Sequence, residues 1–197
     1  MRKLGCSLLF LVVLLIVLSP SLMTTASDGA RVHQLVRISQ LDPKQYRSTA
    51  EYQTWAASTC STAAMTEVMN YYGRSYRITD VLKAESSIGA ISPQLGLLQE
   101  EGIAPTVAHF GFQANAGHQL TLDQMIELAN HGTPVIVSFP PQRYPHGHLL
   151  VVTGGTQNTV FVADSSVWNT HSFTRSRFLQ YWGGFAAVAR PQEGGQS

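Results

Sequence analysis

His148-Leu-Leu-Val-Val-Thr153-Gly-Gly-Thr-Gln-Asn158-Thr159-Val-Phe-Val-Ala163-Asp164 reads as two short apolar strands around a turn-rich linker. Apolar, β-branched runs bounded by Gly, Thr and Asn mark a β-hairpin. With 154–158 as the loop, Thr153 faces Thr159, and the antiparallel register then sets His148 opposite Asp164. Directly opposed residues share a face, with Cβ atoms about 4.5–5.5 Å apart. An imidazole and a carboxylate at that separation can hydrogen-bond. A one-residue bulge in the hairpin would turn one of the two side chains away.

Working outward from the hairpin, 135–139 and 185–189 read as further strands, with a short helix at 175–182 inserted before the last. Helical signals dominate the part before residue 135. Cys60 opens a helix that runs to about Tyr72, capped by Ser58 or Thr59, with Ala64, Val68, Tyr71 and Tyr72 on one face and Gly73 as its stop. A short helix is expected at 79–85. Ser92-Pro93 is expected to open another, with proline in the first turn and Gly102 as its end. Thr121 and Gln124 form a capping box ahead of Leu122, Met125, Ile126 and Ala129, and Gly132 with Pro134 ends that helix. Helices first and strands later indicate an α+β fold, a helical half packed on an antiparallel sheet.

The chain of 197 residues begins with Met1-Arg2-Lys3, followed by an apolar run over 8–18, a break at Pro20 and small residues up to Ala26. That is the anatomy of a signal peptide over 1–26. A retained anchor through residues 6–23 is the alternative, although the run is short and holds a proline. Residues 27–50 are expected to wrap the edge of a single domain at 51–192, with 193–197 as a tail. Either fate of the leader places the remainder outside the cytoplasm, secreted or anchored. Without Arg2 and Lys3, the 13 basic residues fall just below the 12 acidic ones, a net charge of about −1. Such a balance offers no field for nucleic acid, and none for a membrane unless the leader is retained. With 13% of residues charged and frequent aliphatic runs, the chain is globular.

Cys60 is the one cysteine beyond the leader, so no internal disulfide accounts for it. A thiol at a helix N-terminus is drawn toward thiolate by the aligned backbone dipoles, and thiolate is the nucleophile. A histidine oriented by a carboxylate is the base such a nucleophile needs. His146-Gly147-His148 also permits a zinc reading, with Asp164 or His171 as further ligands. That reading leaves Cys60 without a purpose.

Gln53-x6-Cys60, Ala63-Ala64-Met65 followed by Tyr72-Gly73, the run from Gly147-His148 to Gly154-Gly155, and Val160-Phe-Val-Ala-Asp164 together resemble the bacteriocin-processing cysteine peptidase family. The likeness is greatest to its stand-alone exported relatives and covers about residues 50–190. The resemblance implies a papain-like fold and hydrolysis of peptide bonds in a peptide or protein substrate, with no metal or organic cofactor. It implies Cys60 as nucleophile, His148 as general base and acid, and Asp164 as the group that orients His148. Gln53 would supply the oxyanion donor beside the Cys60 N–H, with Thr54 as a substitute. Trp55 and Trp168, which flank these segments, are candidates to shape the substrate groove. Two residues depart from the pattern: Ser61 where glycine is usual and Ser165 where proline is usual. They leave open a catalytically silent domain that binds peptides or envelope material. A third reading keeps the chemistry and directs it at cell-wall stem peptides.

Overall fold

The computed structural model describes residues 34–192. The leader over 1–26, the first residues of the expected wrap and the tail at 193–197 lie outside that range. Six helices and eight strands follow in the order α1 (Thr49–Trp55), α2 (Cys60–Tyr71), α3 (Ile78–Ser87), β1 (Ile91–Ser92), β2 (Gly96–Leu97), α4 (Ile103–Ala108), β3 (Phe112–Gly117), α5 (Leu122–Asn130), β4 (Val135–Phe139), β5 (His148–Gly155), β6 (Thr159–Ala163), β7 (Ser172–Thr174), α6 (Arg175–Tyr181) and β8 (Ala186–Pro191). The fold is α+β, as expected. Strands β3-β8-β4-β5-β6-β7 form one sheet in which every neighbouring pair is antiparallel. Among the described residues no helix is long and apolar enough to cross a membrane.

Helices cover both faces of the sheet, so its central strands are buried on both sides. That is why 135–139 is buried at every position and, but for Ser138, reads as an apolar run rather than an alternating one. Leu149 and Val151 of β5 pack beneath α2 and α4, against Met65, Val68 and Ile103. Leu150 and Val152, with opposite parity, pack beneath α5 and α6, against Met125, Ile126 and Phe178. Each such aliphatic side chain removed from water contributes about 1.5–3 kcal/mol. Helix α2 is the buried centre of the molecule. Every residue from Ser61 to Met69 is buried, so the single apolar face expected for it is in fact most of its circumference. The helix starts at Cys60 with Thr59 at the N-cap position, as expected, but no side chain bonds to its first-turn N–H groups. The Thr59 hydroxyl pairs with the Tyr46 hydroxyl at 2.7 Å, and Ser58 donates to the Trp55 carbonyl.

The expected helix at 92–102 is not present. In its place β1 and β2 form a two-residue hairpin, followed by a 3-10 turn at Glu100–Gly102 and then α4. Gly96 explains the difference. It sits at φ +69, a left-handed conformation that a helix excludes, and a Cβ there would lie 2.9 Å from the Ser58 carbonyl oxygen. Pro93 therefore serves a turn and not a first helical position. Helix α1 and strand β3 were not expected either. Strand β3, Phe-Gln-Ala-Asn-Ala-Gly, alternates correctly but holds almost no strong strand formers, and its pairing along β8 supplies the order.

The β5–β6 hairpin is present with a different register. Its loop is only 156–158, because Gly154 and Gly155 are part of β5, and Gly155 pairs with Val160. Continued unbroken, that register would place His148 and Asp164 on opposite faces. One extra residue, Thr153, bulges between the Val152–Val162 and Gly154–Phe161 pairs and restores the parity. The bulge is thus what brings the two side chains to the same face, the reverse of the effect expected. Asn130 of α5 fixes it, accepting from the Gly155 N–H at 2.9 Å and donating to the Gly155 carbonyl at 3.1 Å. Gly154, at φ +153, has no room for a side chain, since a Cβ would meet Asn130 Oδ1 at 2.7 Å.

Candidate active site

His148 is the first residue of β5 and pairs with Phe139 of β4. Phe139 is packed among Tyr144, Phe173, Phe178 and Tyr181 with centroid separations of 5.4–5.6 Å. Tyr144 lies nearly parallel to the imidazole, at 6.2 Å and 29°. Each aromatic pair adds about 0.5–1.5 kcal/mol beyond its buried area, so the ring is held on a stiff platform.

The His148 Nε2 lies 2.8 Å from Asp164 Oδ1. By register Asp164 lies diagonally from His148, not opposite it, yet a shift of two residues preserves the face and the long imidazole spans the gap. Asp164 also accepts from the Ser166 N–H at 2.8 Å and the Thr170 N–H at 3.0 Å. Burial acts to raise the Asp164 pKa. The His148 hydrogen bond and charge, with the Ser166 donors, outweigh it and hold the carboxyl well below the usual carboxylate range. For His148, burial acts to lower the pKa. The Asp164 bond, the hydrogen bond to Cys60 and their charges outweigh it and raise the imidazole to about 10.

Cys60, half-buried at the start of α2, shares a cleft with His148, and its hydrogen bonding and charge are among the causes that raise the imidazole. With Nε2 engaged by Asp164, Nδ1 is the ring nitrogen left to face the thiol. Cys60 and His148 thus line one cleft, and Asp164 is bonded to the His148 ring. Cys60 and His148 open onto a cleft of about 650 Å³, walled on one side by the β1–β2 hairpin and the residues up to Glu100, and on the other by Pro140, Pro141, His146 and Gly147.

Four candidate residues lie elsewhere. Gln53 and Thr54 are exposed on α1 and do not line the cleft. A seven-residue separation from Cys60 suggested reach, but α1 turns them outward. Trp55 packs against the small core of Ile38, Tyr46, Ala63 and Ile78. Trp168 is 71% exposed on the loop after Asp164 and also stands outside the cleft lining. No three His, Cys, Asp or Glu side chains gather as a metal would require among the described residues, so His146 and His171 do not join His148 and Asp164.

Four glutamines line the cleft, Gln40, Gln94, Gln99 and Gln142, and of these Gln40 is the buried one, in the extended segment before α1. Its Nε2 donates to the Ala56 carbonyl at 3.0 Å, and its Oε1 accepts from the Ser165 hydroxyl at 2.9 Å. The signal was Ser39-Gln40-Leu41 ahead of Asp42-Pro43, hidden by its distance along the chain from Cys60. Ser61 does not crowd the cleft. Its hydroxyl donates to Glu85 Oε1 at 2.7 Å while Thr62 donates to Oε2 at 2.5 Å.

Two buried carboxyls support α2. Burial raises Glu85 to about 7, partly offset by the Thr62 and Ser61 hydroxyls. Burial raises Glu67 to about 8, partly offset by the Ile38 N–H, which donates to it at 2.7 Å. The folded chain consequently holds more protons than the unfolded chain from about pH 4.5 to 8, and stability falls as pH rises through that window. His148 has the same sign higher up: its contribution is complete below 6.5 and is lost as pH climbs toward about 10. Asp164, held low, contributes stability that is lost only as pH falls below the ordinary carboxyl value of 3.8. Thermal melting should therefore peak in mildly acidic buffer and decline toward pH 9. Glu67→Gln with Glu85→Gln should flatten the lower part of that decline, and a melting temperature rising from pH 5 to 8 would contradict the assignment.

The model of the family described as Peptidase_C39 like matches residues 34–189. Among solved structures, the peptidase domain of Streptococcus ComA, a bifunctional ABC transporter involved in a quorum-sensing pathway, aligns with a TM-score of 0.62. It is 19% identical, over 81% of this chain and 100% of that one. A Bacillus anthracis protein assigned as a C39-like peptidase aligns with a TM-score of 0.57 at 12% identity, covering 81% and 96%. The double-glycine motif protease of an AMS/PCAT transporter, solved in complex with its leader peptide, aligns with a TM-score of 0.53 at 12% identity, covering 81% and 94%. At these identities the structures establish a shared fold, the papain-like α+β architecture. No curated protein is similar enough in sequence to match.

Proposed function

The chain belongs to the C39-like peptidase family, and from that premise we propose that it hydrolyses peptide bonds with Cys60 as nucleophile, His148 as base and acid, and Asp164 as the orienting carboxylate. The observation that carries this reading is the buried His148–Asp164 hydrogen bond at the wall of an open cleft that Cys60 also lines. The Cys60 sulfur attacks the substrate carbonyl carbon, and the carbonyl oxygen takes up negative charge. The Cys60 N–H, in the first turn of α2 where no helical acceptor exists, is one donor to that oxygen. Gln40 Nε2, in place of Gln53, is the other. His148 passes its proton to the amine as the C–N bond breaks, leaving a thioester. Water, deprotonated by His148, then attacks the acyl carbon, and the C–S bond breaks to release the acid and the thiol.

The substrate is a peptide lying along the cleft between the β1–β2 hairpin and the turn before β5, and the family relative solved with its leader peptide is consistent with that class. The protein works outside the cytoplasm, on the strength of the basic start, apolar run and small residues over 1–26. The two departures that favoured a silent binding domain are absorbed by Glu85 and Gln40 and leave the cleft open.

Steady-state hydrolysis of peptide mixtures, alongside labelling by a thiol-directed peptide probe, tests the reading. Muropeptide release from cell walls, run in parallel, separates stem-peptide cleavage from general peptide hydrolysis. Gln40→Ala should reduce kcat by about 10²–10³-fold, the loss expected for one oxyanion donor, while Gln53→Ala should be nearly silent. A probe that leaves Cys60 unlabelled, or the opposite ranking of the two glutamines, would defeat it.

A further inference from the structure

We propose that Ser165 is a positioning residue that aims the Gln40 amide at the oxyanion, an inference that rests on the catalytic reading above. A glutamine amide has one acceptor end and one donor end, and either can face a hydroxyl. Gln40 cannot choose freely. The Ala56 carbonyl accepts only, so Nε2 must stand there, at 3.0 Å. Oε1 is thereby left to Ser165, whose hydroxyl donates at 2.9 Å. Both side chains are buried, at 6% and 2% exposure, so water cannot replace the bond. Of the two Nε2 protons, Ala56 takes one, and the other is uncommitted on the residue that lines the cleft with Cys60.

The backbone reinforces the arrangement. The Gln40 N–H donates to the Ser165 carbonyl at 3.0 Å. Arg37 donates to the carbonyls of Asp164 at 2.5 Å and Ser166 at 2.6 Å. The segment 37–40 is thus stitched to the loop 164–166, in which adjacent residues serve the two halves of the reaction. Asp164 orients the base, and Ser165 orients the oxyanion donor. A residue at 165 without a hydroxyl could not make this bond.

The test is Ser165→Ala beside Ser165→Thr, which keeps the hydroxyl. Loss of aim should lower kcat by about 10-fold or more with KM within about twofold, and threonine should restore it. A peptide aldehyde, whose thiohemiacetal oxygen occupies the oxyanion position, should bind Ser165→Ala more weakly by a similar factor. Alkylation of Cys60 by iodoacetamide forms no oxyanion and should keep its wild-type rate. In a Gln40→Ala background the Ser165→Ala effect should vanish. Unchanged kcat, a kcat loss matched by slower alkylation, or additivity with Gln40→Ala would overturn the proposal. Should the alanine variant fail to fold, Ser165→Cys, with its weak S–H donor, supplies the same comparison. Failure of the catalytic reading itself looks different: wild-type protein without Cys60-dependent hydrolysis.

Discussion

Cys60→Ala should abolish peptide hydrolysis, with a loss of at least ~10³-fold in kcat and a folded, cleft-intact protein. The size follows from chemistry. Without sulfur there is no thioester, and what remains is a histidine and two amide donors around a water. The fold should tolerate the change. Cys60 is only half-buried and starts α2, while the helix is anchored by the buried stretch from Ser61 to Met69 and by the Ser61 and Thr62 bonds to Glu85. Alanine also keeps the backbone N–H that would donate to the oxyanion. The checks are steady-state rates, melting temperature and mass-spectrometric alkylation. Hydrolysis persisting within tenfold of wild type would remove Cys60 from the reaction.

How much of this could be read along the chain depends on whether the deciding contact is local. The Cys60 helix, the strands at 135–139 and 159–163 and the capping box at Thr121 carry their own signals, and all are present. The pairing of His148 with Asp164 was also legible, because same-face parity needs only an even shift and a hairpin. Its route was not. The bulge at Thr153 depends on Asn130, which reaches the hairpin from α5, and nothing near residue 153 announces that partner. The β1–β2 hairpin was misread as a helix because Pro93 and Gly102 serve turns as readily as helix ends. Gln40 was missed because its partners, Ala56 and Ser165, are joined only in the folded molecule. Gln53 was preferred for closeness along the chain, which an exposed helix face makes irrelevant.

Asp164→Asn should cost about 10²-fold or more in kcat/KM and move the alkaline limb of the pH–rate profile to lower pH. In the native site the carboxylate meets the His148 ring, the Ser166 N–H and the Thr170 N–H, three donors that an ionised acid can satisfy at once. An amide cannot, since one of its two ends is itself a donor. Whichever way it turns, a donor meets a donor, and the unmet buried group costs about 1–3 kcal/mol. The electrostatic loss is separate. His148 is raised to about 10 against the opposing effect of burial, and the Asp164 bond is the foremost of the forces raising it. Asparagine removes that charge, so burial and Cys60 alone decide the outcome and the imidazolium releases its proton earlier. Activity that needs His148 to protonate the leaving amine then fades at lower pH than in wild type. Rates and alkylation measured across pH 5–10 for both proteins decide the matter: an alkaline limb that stays in place, with kcat/KM within threefold, would reduce Asp164 to a loop anchor.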